Sequence, residues 1–245
     1  MANKMANTIH LSLQGKGGVG KSLVAAVLAQ YLKHKGEDVR CIDTDPVNQT
    51  FSQYAALGAA HLKLLDQGRI DPRAFDQLMD RLLTEDGVFV VDNGASTFVP
   101  LWHYILENDV ARVLRDAGRR LFVHSVVTGG QALVDTLTGF RELAQTTPDR
   151  NVIVWVNEYF GPIQDSGKRF VEMKVYRENE AKVAGTVAIQ KRSVDTFGRD
   201  MEDMLRRKMT FAEAIDSPEF SIMARQRLKT VRADLFEQLD QVGIV

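Results

Sequence analysis

The 245-residue sequence predicts an α/β fold: a mostly parallel β-sheet with helices on both faces and a helical C-terminus. Three observations carry that prediction. Short apolar runs of strand length alternate with stretches of helical periodicity, the pattern of strands joined by crossover helices. Several runs, Val88-Phe89-Val90-Val91 and Val152-Ile153-Val154-Trp155-Val156 among them, are apolar at nearly every position. Strands covered on both faces need that composition. The first apolar run leads straight into a glycine-rich loop and then a helix with an apolar stripe.

In chain order, strands are expected near residues 8–14, 38–42, 87–91, 120–126, 151–157 and 184–189. Leu23, Val24, Val27, Leu28, Tyr31 and Leu32 recur at helical spacing, and Gly36 follows as a stop. Phe75, Leu78, Met79, Leu82 and Leu83 form a second stripe. Residues 132–144 and 170–176 also read as helical, and the chain reads as helical from about 195 onward. In the last helix Ala224, Leu228, Val231, Leu235 and Leu239 share one face. With six prolines, no low-complexity stretch and no repeat, the chain is expected to form a single domain over residues 1–245.

The composition, 44% apolar and 26% charged, is that of a globular protein with ample core. Its 31 basic and 32 acidic residues give a net charge of −1. That excludes a protein holding nucleic acid by bulk charge and leaves room for a local basic patch. A single cysteine, Cys41, excludes an internal disulfide and a multi-cysteine zinc site. It suits a reducing, cytoplasmic setting. The N-terminal MANKMANTIH lacks a hydrophobic signal core, which argues against export, and its repeated Met-Ala-Asn makes Met1 and Met5 alternative starts. No run approaches the ~18 apolar residues of a membrane span. The five histidines show no zinc-hydrolase spacing, and no G-x-S-x-G elbow occurs.

Residues 15–22, GKGGVGKS, match G-x-x-x-x-G-K-[ST] between a strand and a helix. Gly15, Gly17, Gly18 and Gly20 open backbone conformations closed to other residues and let amides approach phosphate oxygens. Those amides lie at the positive end of the next helix. Lys21 would meet the β- and γ-phosphates, and the Ser22 hydroxyl would ligate Mg²⁺. The segment Gly15, Lys16, Gly17, Gly18, Val19, Gly20, Lys21, Ser22 and Leu23 is therefore the candidate ATP/ADP-binding segment. The bland alternative is a glycine-rich turn at a strand–helix junction, against a chance match of roughly 1% in a chain this long.

Two carboxylate groups stand at predicted strand ends, where parallel sheets bind ligands. Asp43-Thr44-Asp45-Pro46 ends the second strand, and Asp92 ends the apolar run Val88-Phe89-Val90-Val91. An acid in the latter position binds Mg²⁺ directly or through water. Asn93-Gly94-Ala95-Ser96 follows as a candidate mobile switch. Turn chemistry alone also accounts for Asp-Pro.

Lys16 makes the loop K-G-G-x-G-K-S, and here the sequence resembles the ParA/MinD group of deviant Walker A, P-loop ATPases. The resemblance implies a P-loop NTPase fold and a homodimer closed around ATP, with Lys16 reaching the partner's phosphates. It implies that Asp45 orients the attacking water, that Asp43 lies near the Mg²⁺ shell with Ser22 and Asp92, and that Asn157 meets the adenine edge. The Asp92-Asn93-Gly94 string departs from the family's D-x-P-P, and Ala188-Ile189-Gln190 lacks the proline of its second base-contacting loop.

The strings LQGKGGVGKS, CIDTDPVNQTF, DNGASTFVPL, VVTGGQALVDT, FGRDMEDML and MARQRLKTVRADLFEQLD resemble the TraL/StbB family of conjugative plasmids over nearly the whole chain. That likeness implies an ATPase, slow without a stimulating partner, serving plasmid transfer or maintenance alongside transfer or segregation proteins. Two alternatives stand beside it: a nucleotide-gated module with negligible hydrolysis, and a P-loop enzyme acting on a small molecule.

Other features stay open at this level. Arg225, Lys229 and Arg232 form a stripe beside the apolar face of the last helix. It reads as a solvated edge or as sequence-independent contact with DNA phosphates. A membrane-binding tail is disfavoured because residues 240–245 lack lysine and arginine. Trp102, Tyr104 and Ile105 read as core or as a partner surface. Thr128-Gly129-Gly130-Gln131 reads as a ligand-edge contact or a helix cap.

Overall fold

The computed structural model describes residues 7–66, 69–148 and 150–244; both candidate start residues lie outside them. Seven strands make up one sheet: β1 Thr8–Ser12, β2 Val39–Asp43, β3 Ala60–His61, β4 Val88–Asp92, β5 Arg120–Thr128, β6 Val152–Asn157 and β7 Val183–Ile189. Their order is β7-β6-β5-β1-β4-β2-β3, and every neighbouring pair is parallel. The helices are α1 Lys21–His34, α2 Pro72–Thr84, α3 Ala95–Glu107, α4 Val110–Asp116, α5 Leu133–Thr146, α6 Lys174–Arg177, α7 Arg199–Arg206, α8 Phe211–Asp216 and α9 Ile222–Val242.

Side chains alternate across a strand, so each sheet face collects its own core. Val88, Val90, Phe122, Val126, Ile153 and Trp155 pack with α1, α8 and α9. Ile9, Leu11, Phe89, Val91, Leu121 and Val123 pack with α2, α3 and α4. A third cluster joins Val127, Val152 and Val154 to Phe140 and Ala144 of α5. The two-sided burial explains why these strands read as continuous apolar runs. Cys41 is a buried core residue, and Ala224, Leu228, Val231, Leu235 and Leu239 all face inward, as their spacing predicts. On the edge strand β7 the Gln238 side chain stands in for a neighbour: it accepts from the Ala188 amide at 2.6 Å and donates to the Ala188 carbonyl at 3.1 Å.

Two expectations need correction. Residues 170–176 are not one helix but a 3₁₀ turn, Phe170–Glu172, followed by the four-residue α6. The Arg169 amide donates to Glu172 Oε2 at 2.9 Å, closing the turn locally, and Phe170 inserts its ring against Phe140 and Tyr176. The region beyond 195 is also not continuous. Lys208 adopts a left-handed φ of 55°, Thr210 and Glu213 form a reciprocal capping box that starts α8, and Ser221 caps α9. A helix outside all the expected ones, α3, runs through Pro100. Proline removes the bond to the carbonyl four residues back. That residue, Ser96, is exposed, so water can satisfy its carbonyl. Trp102 and Ile105 on α3 are core.

The topology delivers the site. β1 lies between β4 and β5, and the register sets Ser12 beside Asp92 and Asp92 beside Asp43. Three polar strand ends thus align at the edge from which the glycine-rich loop emerges.

Candidate nucleotide site

Residues 13–20 link β1 to α1. Gly18 and Gly20 take φ of 74° and 107°, left-handed values that a side chain would strain. Gly20 is the residue before α1, so the turn it makes aims the first free amides of the helix into the loop. Lys21 is buried, and its Nζ donates to the Lys16 carbonyl at 3.0 Å across the loop. Burial pulls its ammonium below the ordinary range, while Asp92 and then Asp45 pull it back. Lys16 itself points outward: its side chain is 46% exposed and pairs with Asp135 Oδ2 of α5 at 2.8 Å.

Asp92 is a buried acid of the site. Burial first, then the neighbouring Asp43 and Asp45 carboxylates, push it up to about 7, against a hydrogen bond from Ser22 and the charge of Lys21. Its Oδ1 is buried with no hydrogen-bond partner. A buried orphan oxygen is costly and calls for a ligand. A divalent cation beside the Ser22 hydroxyl would answer it, and among the described residues no group of three or more His, Cys, Asp or Glu gathers to hold a metal without phosphate oxygens. Asp43 is fully buried and committed to backbone: Oδ1 accepts from the Asp45 amide at 3.0 Å and Oδ2 from the Ser52 amide at 2.8 Å. It therefore clamps the 44–52 segment. Asp45 Oδ1 accepts from the amides of Val47 and Asn48, which orients the carboxylate. That carboxylate rests on Gly94, where an added Cβ would stand 2.7 Å from Asp45 Cγ.

A buried polar network joins the two carboxylate segments. Asn93 Oδ1 accepts from Thr97 of α3 at 2.7 Å and lies 3.1 Å from the Thr44 hydroxyl. The Thr44 amide donates to the Asp92 carbonyl at 2.9 Å. Sequence reasoning missed Thr44, Asn93 and Thr97 as a unit, since only the pairing of β2 with β4 brings them together.

Beside the loop opens a cavity of about 580 Å³. Gly18, Gly20, Leu23 and Asn157 form its phosphate-loop end. Tyr159 and Phe160, packed edge-to-face, line it together with Val194, Phe197 and Met201. The Tyr159 hydroxyl donates to Glu202 at 2.5 Å, and Arg192 pairs with Asp234 at 3.0 Å while covering the Phe197 ring. An apolar, aromatic-walled cleft with a few polar groups suits a nucleobase and ribose. Asn157 is buried at this end with its amide engaged: Nδ2 donates to the Val19 carbonyl at 2.9 Å and Oδ1 accepts from the Tyr159 amide at 3.1 Å. Ile189 and Gln190 line the same cavity.

The open features resolve in part. Gly129 lets two ligand-edge loops touch, since a Cβ there would lie 2.5 Å from the Gly161 carbonyl oxygen. On α9, Arg225 and Arg232 are half-buried and Lys229 is exposed. The fourth cation of that stretch, Arg227, is bound to Asp200 at 2.5 Å. Among the described residues no helix is long and apolar enough to cross a membrane.

Residues 12–236 match the model of the CobQ/CobB/MinD/ParA nucleotide binding domain. The chain is 48% identical over 238 residues to Protein TraL of Escherichia coli, covering 97% of this chain and 99% of that protein. It is similar in fold to a chain of the Aquifex aeolicus MinC:MinD cell division protein complex, with a TM-score of 0.54, 16% identity and coverage of 95% and 96%. A ParA family ATPase from Chlorobium tepidum superposes with a TM-score of 0.51 at 12% identity, covering 94% of this chain and 98% of that one.

Proposed function

The chain belongs to the CobQ/CobB/MinD/ParA nucleotide-binding family, and from that premise we propose that it is an ATP-dependent dimerisation switch that hydrolyses ATP slowly and serves plasmid transfer or maintenance. The observation that carries this reading is the conjunction of buried Lys21, Ser22 and orphaned Asp92 with a glycine loop whose Gly18 and Gly20 line an apolar cleft. Loop amides and Lys21 would hold the triphosphate, and the cleft between Tyr159 and Phe197 would take adenine and ribose. Ser22 and Asp92 would hold Mg²⁺, whose charge would neutralise the β- and γ-phosphates. Asp43 would support this arrangement from beside Asp92 by clamping the segment that carries Asp45. The Asp45 carboxylate, oriented by two amides, would place the attacking water. Asn157 would brace the loop below the base through Val19.

Lys16 would leave Asp135 on dimerisation and reach the phosphates bound by the second subunit. An exposed ion pair of this kind contributes about 0–1 kcal/mol, so its rupture is a small barrier. The plasmid role is supported by the 48% identity to Protein TraL together with the TraL/StbB strings of the sequence, and partner binding by the MinC:MinD complex, a chain of which shares this fold.

Sedimentation with Mg²⁺ and either ADP or a non-hydrolysable ATP analogue tests the switch. The analogue is expected to give a dimer and ADP a monomer. Lys21→Ala is expected to abolish nucleotide binding, and Lys16→Ala to bind the analogue yet stay monomeric. Unchanged affinity in the first variant, or an unchanged dimer in the second, refutes the role assigned to that lysine.

A further inference from the structure

We propose that Gln14 is a positioning residue that sets where the phosphate loop leaves the sheet, its side-chain amide inserted into the β1–β5 ladder between the Gly15 amide and the Val126 carbonyl. The inference rests on the nucleotide-binding reading above. In the parallel ladder the Leu13 amide donates to the His124 carbonyl at 2.9 Å. Two residues on, the same pattern would send the Gly15 amide to the Val126 carbonyl. Instead, Gly15 N–H donates to Gln14 Oε1 at 2.9 Å, and Gln14 Nε2 donates to Val126 O at 3.0 Å. The side chain thus relays the missing bond and holds the main chain one amide group away from β5.

Nothing in this arrangement is slack. Gln14 is almost wholly buried, and its Nε2 also reaches the Thr136 carbonyl of α5 at 3.3 Å. Glycine inside a helix is unfavourable on propensity alone, yet α5 carries Gly139 in its interior. A Cβ there would stand 2.1 Å from Gln14 Oε1, so the gap belongs to the glutamine. Gln14 consequently ties the loop to β5 and to α5, the helix that bears Asp135, the partner of Lys16. It also occupies the Gly15 amide, leaving the phosphate-binding donors to the amides farther along the loop and at the start of α1.

Two variants separate positioning from packing. Gly139→Ala alone is expected to lower both the thermal midpoint and the affinity for a non-hydrolysable ATP analogue with Mg²⁺, because the new methyl displaces the glutamine. Adding Gln14→Ala removes the clash. The double variant is expected to be more stable than Gly139→Ala alone, while staying below the native protein because the Gly15 amide and Val126 carbonyl lose their partner, and to bind the analogue about tenfold more weakly than the native protein. Recovery of native affinity in the double variant overturns the proposal. If Gln14→Ala prevents folding, Gln14→Asn keeps an amide one methylene too short to span both partners, and native affinity in that variant likewise overturns it. Hydrogen exchange of the loop amides in nucleotide-free protein provides a separate readout. Exchange across residues 15–20 is expected to be at least tenfold faster without the glutamine amide, and unchanged exchange refutes the insertion. A native protein that binds no nucleotide, with the exchange result intact, refutes the nucleotide reading alone.

Discussion

Gly94 has an ordinary φ of −68°, so its need for glycine is one of space rather than backbone freedom. A methyl group at that position would come within 2.7–3.1 Å of three Asp45 side-chain atoms. The phosphate loop and Asp92 do not depend on that contact. Gly94→Ala is therefore expected to bind ATP with near-native affinity and to release phosphate at least tenfold more slowly. Asp45→Ala is expected to do the same and to accumulate the ATP-bound dimer. Phosphate release at the native rate from both variants refutes the part assigned to Asp45. Residues of this kind differ in how far the sequence reveals them. Lys21, Ser22 and Asp92 are legible because a motif with a mechanism sits at a strand end. Gln14, Thr44 and Asn93 are not, because each acts through a partner that only the sheet order brings near. Asn157 was legible as a strand-end polar residue, but its bond to the Val19 carbonyl depends on β6 ending beside the loop.

At the scale of elements, strands were the legible part because burial on both faces imposes an apolar composition that spacing alone reveals. β1, β2, β4, β5, β6 and β7 lie within two residues of their expected bounds. β3 escaped because two residues carry no pattern, and α3 because Pro100 argues against a helix that tertiary packing of Phe98, Leu101, Trp102 and Ile105 sustains. The apolar face of α9 was equally plain, but its charges were not. The structure removes Arg227 from the basic stretch by pairing it with Asp200, leaving Arg225, Lys229 and Arg232. If these three meet DNA phosphates in the ATP-bound dimer, each subunit contributes a salt slope of about −2.7, three contacts at roughly −0.9 each. Replacing all three by alanine is expected to flatten that slope by the same amount, with unfolding stability changed by only about 0.5 kcal/mol per site. A native protein that ignores duplex DNA at low salt, or a triple variant with the native slope, leaves the stripe as a solvated edge.

The whole molecule carries a polar seam through its centre that no single element explains. Trp155 Nε1 donates to His124 Nδ1 at 2.9 Å, His124 Nε2 lies 3.0 Å from His10 Nδ1, and His10 Nε2 lies 3.2 Å from the Thr8 hydroxyl. Indole is a donor only, so His124 Nδ1 must accept. Its Nε2 then carries the proton and donates to His10 Nδ1, and His10 donates in turn to Thr8. The seam crosses β6, β5 and β1, the strands that carry the nucleotide loop and its neighbours. A further proton on either ring would set N–H against N–H. Burial, reinforced by the charge of Arg120, lowers His10 to about 3, and burial together with His10 lowers His124 well below the ordinary histidine value of 6.5. Both folded-state values are depressed, so the unfolded chain binds more protons at acid pH. The stabilisation is complete above about 6.5 and is lost as pH falls below it. Each histidine costs about 1.4 kcal/mol per pH unit in that window, against a total stability on the order of 5–15 kcal/mol. Carboxylates held low by ion pairs, such as Asp203 and Asp240, release their contribution only nearer their unfolded value of 3.8. Asp92, raised to about 7, titrates in the same window with the opposite sign, so urea unfolding between pH 7 and 5 reads the seam as the difference between the native protein and a variant that lacks it. Native stability is expected to change little near pH 7 and to fall by pH 5, the loss at two histidines outweighing the gain at Asp92. The double variant His10→Leu/His124→Leu leaves Trp155 and Thr8 unpaired, so it starts less stable, but its stability is expected not to fall across the window and to rise toward pH 5 as Asp92 takes up its proton. The same fall in the double variant would place the acid sensitivity elsewhere.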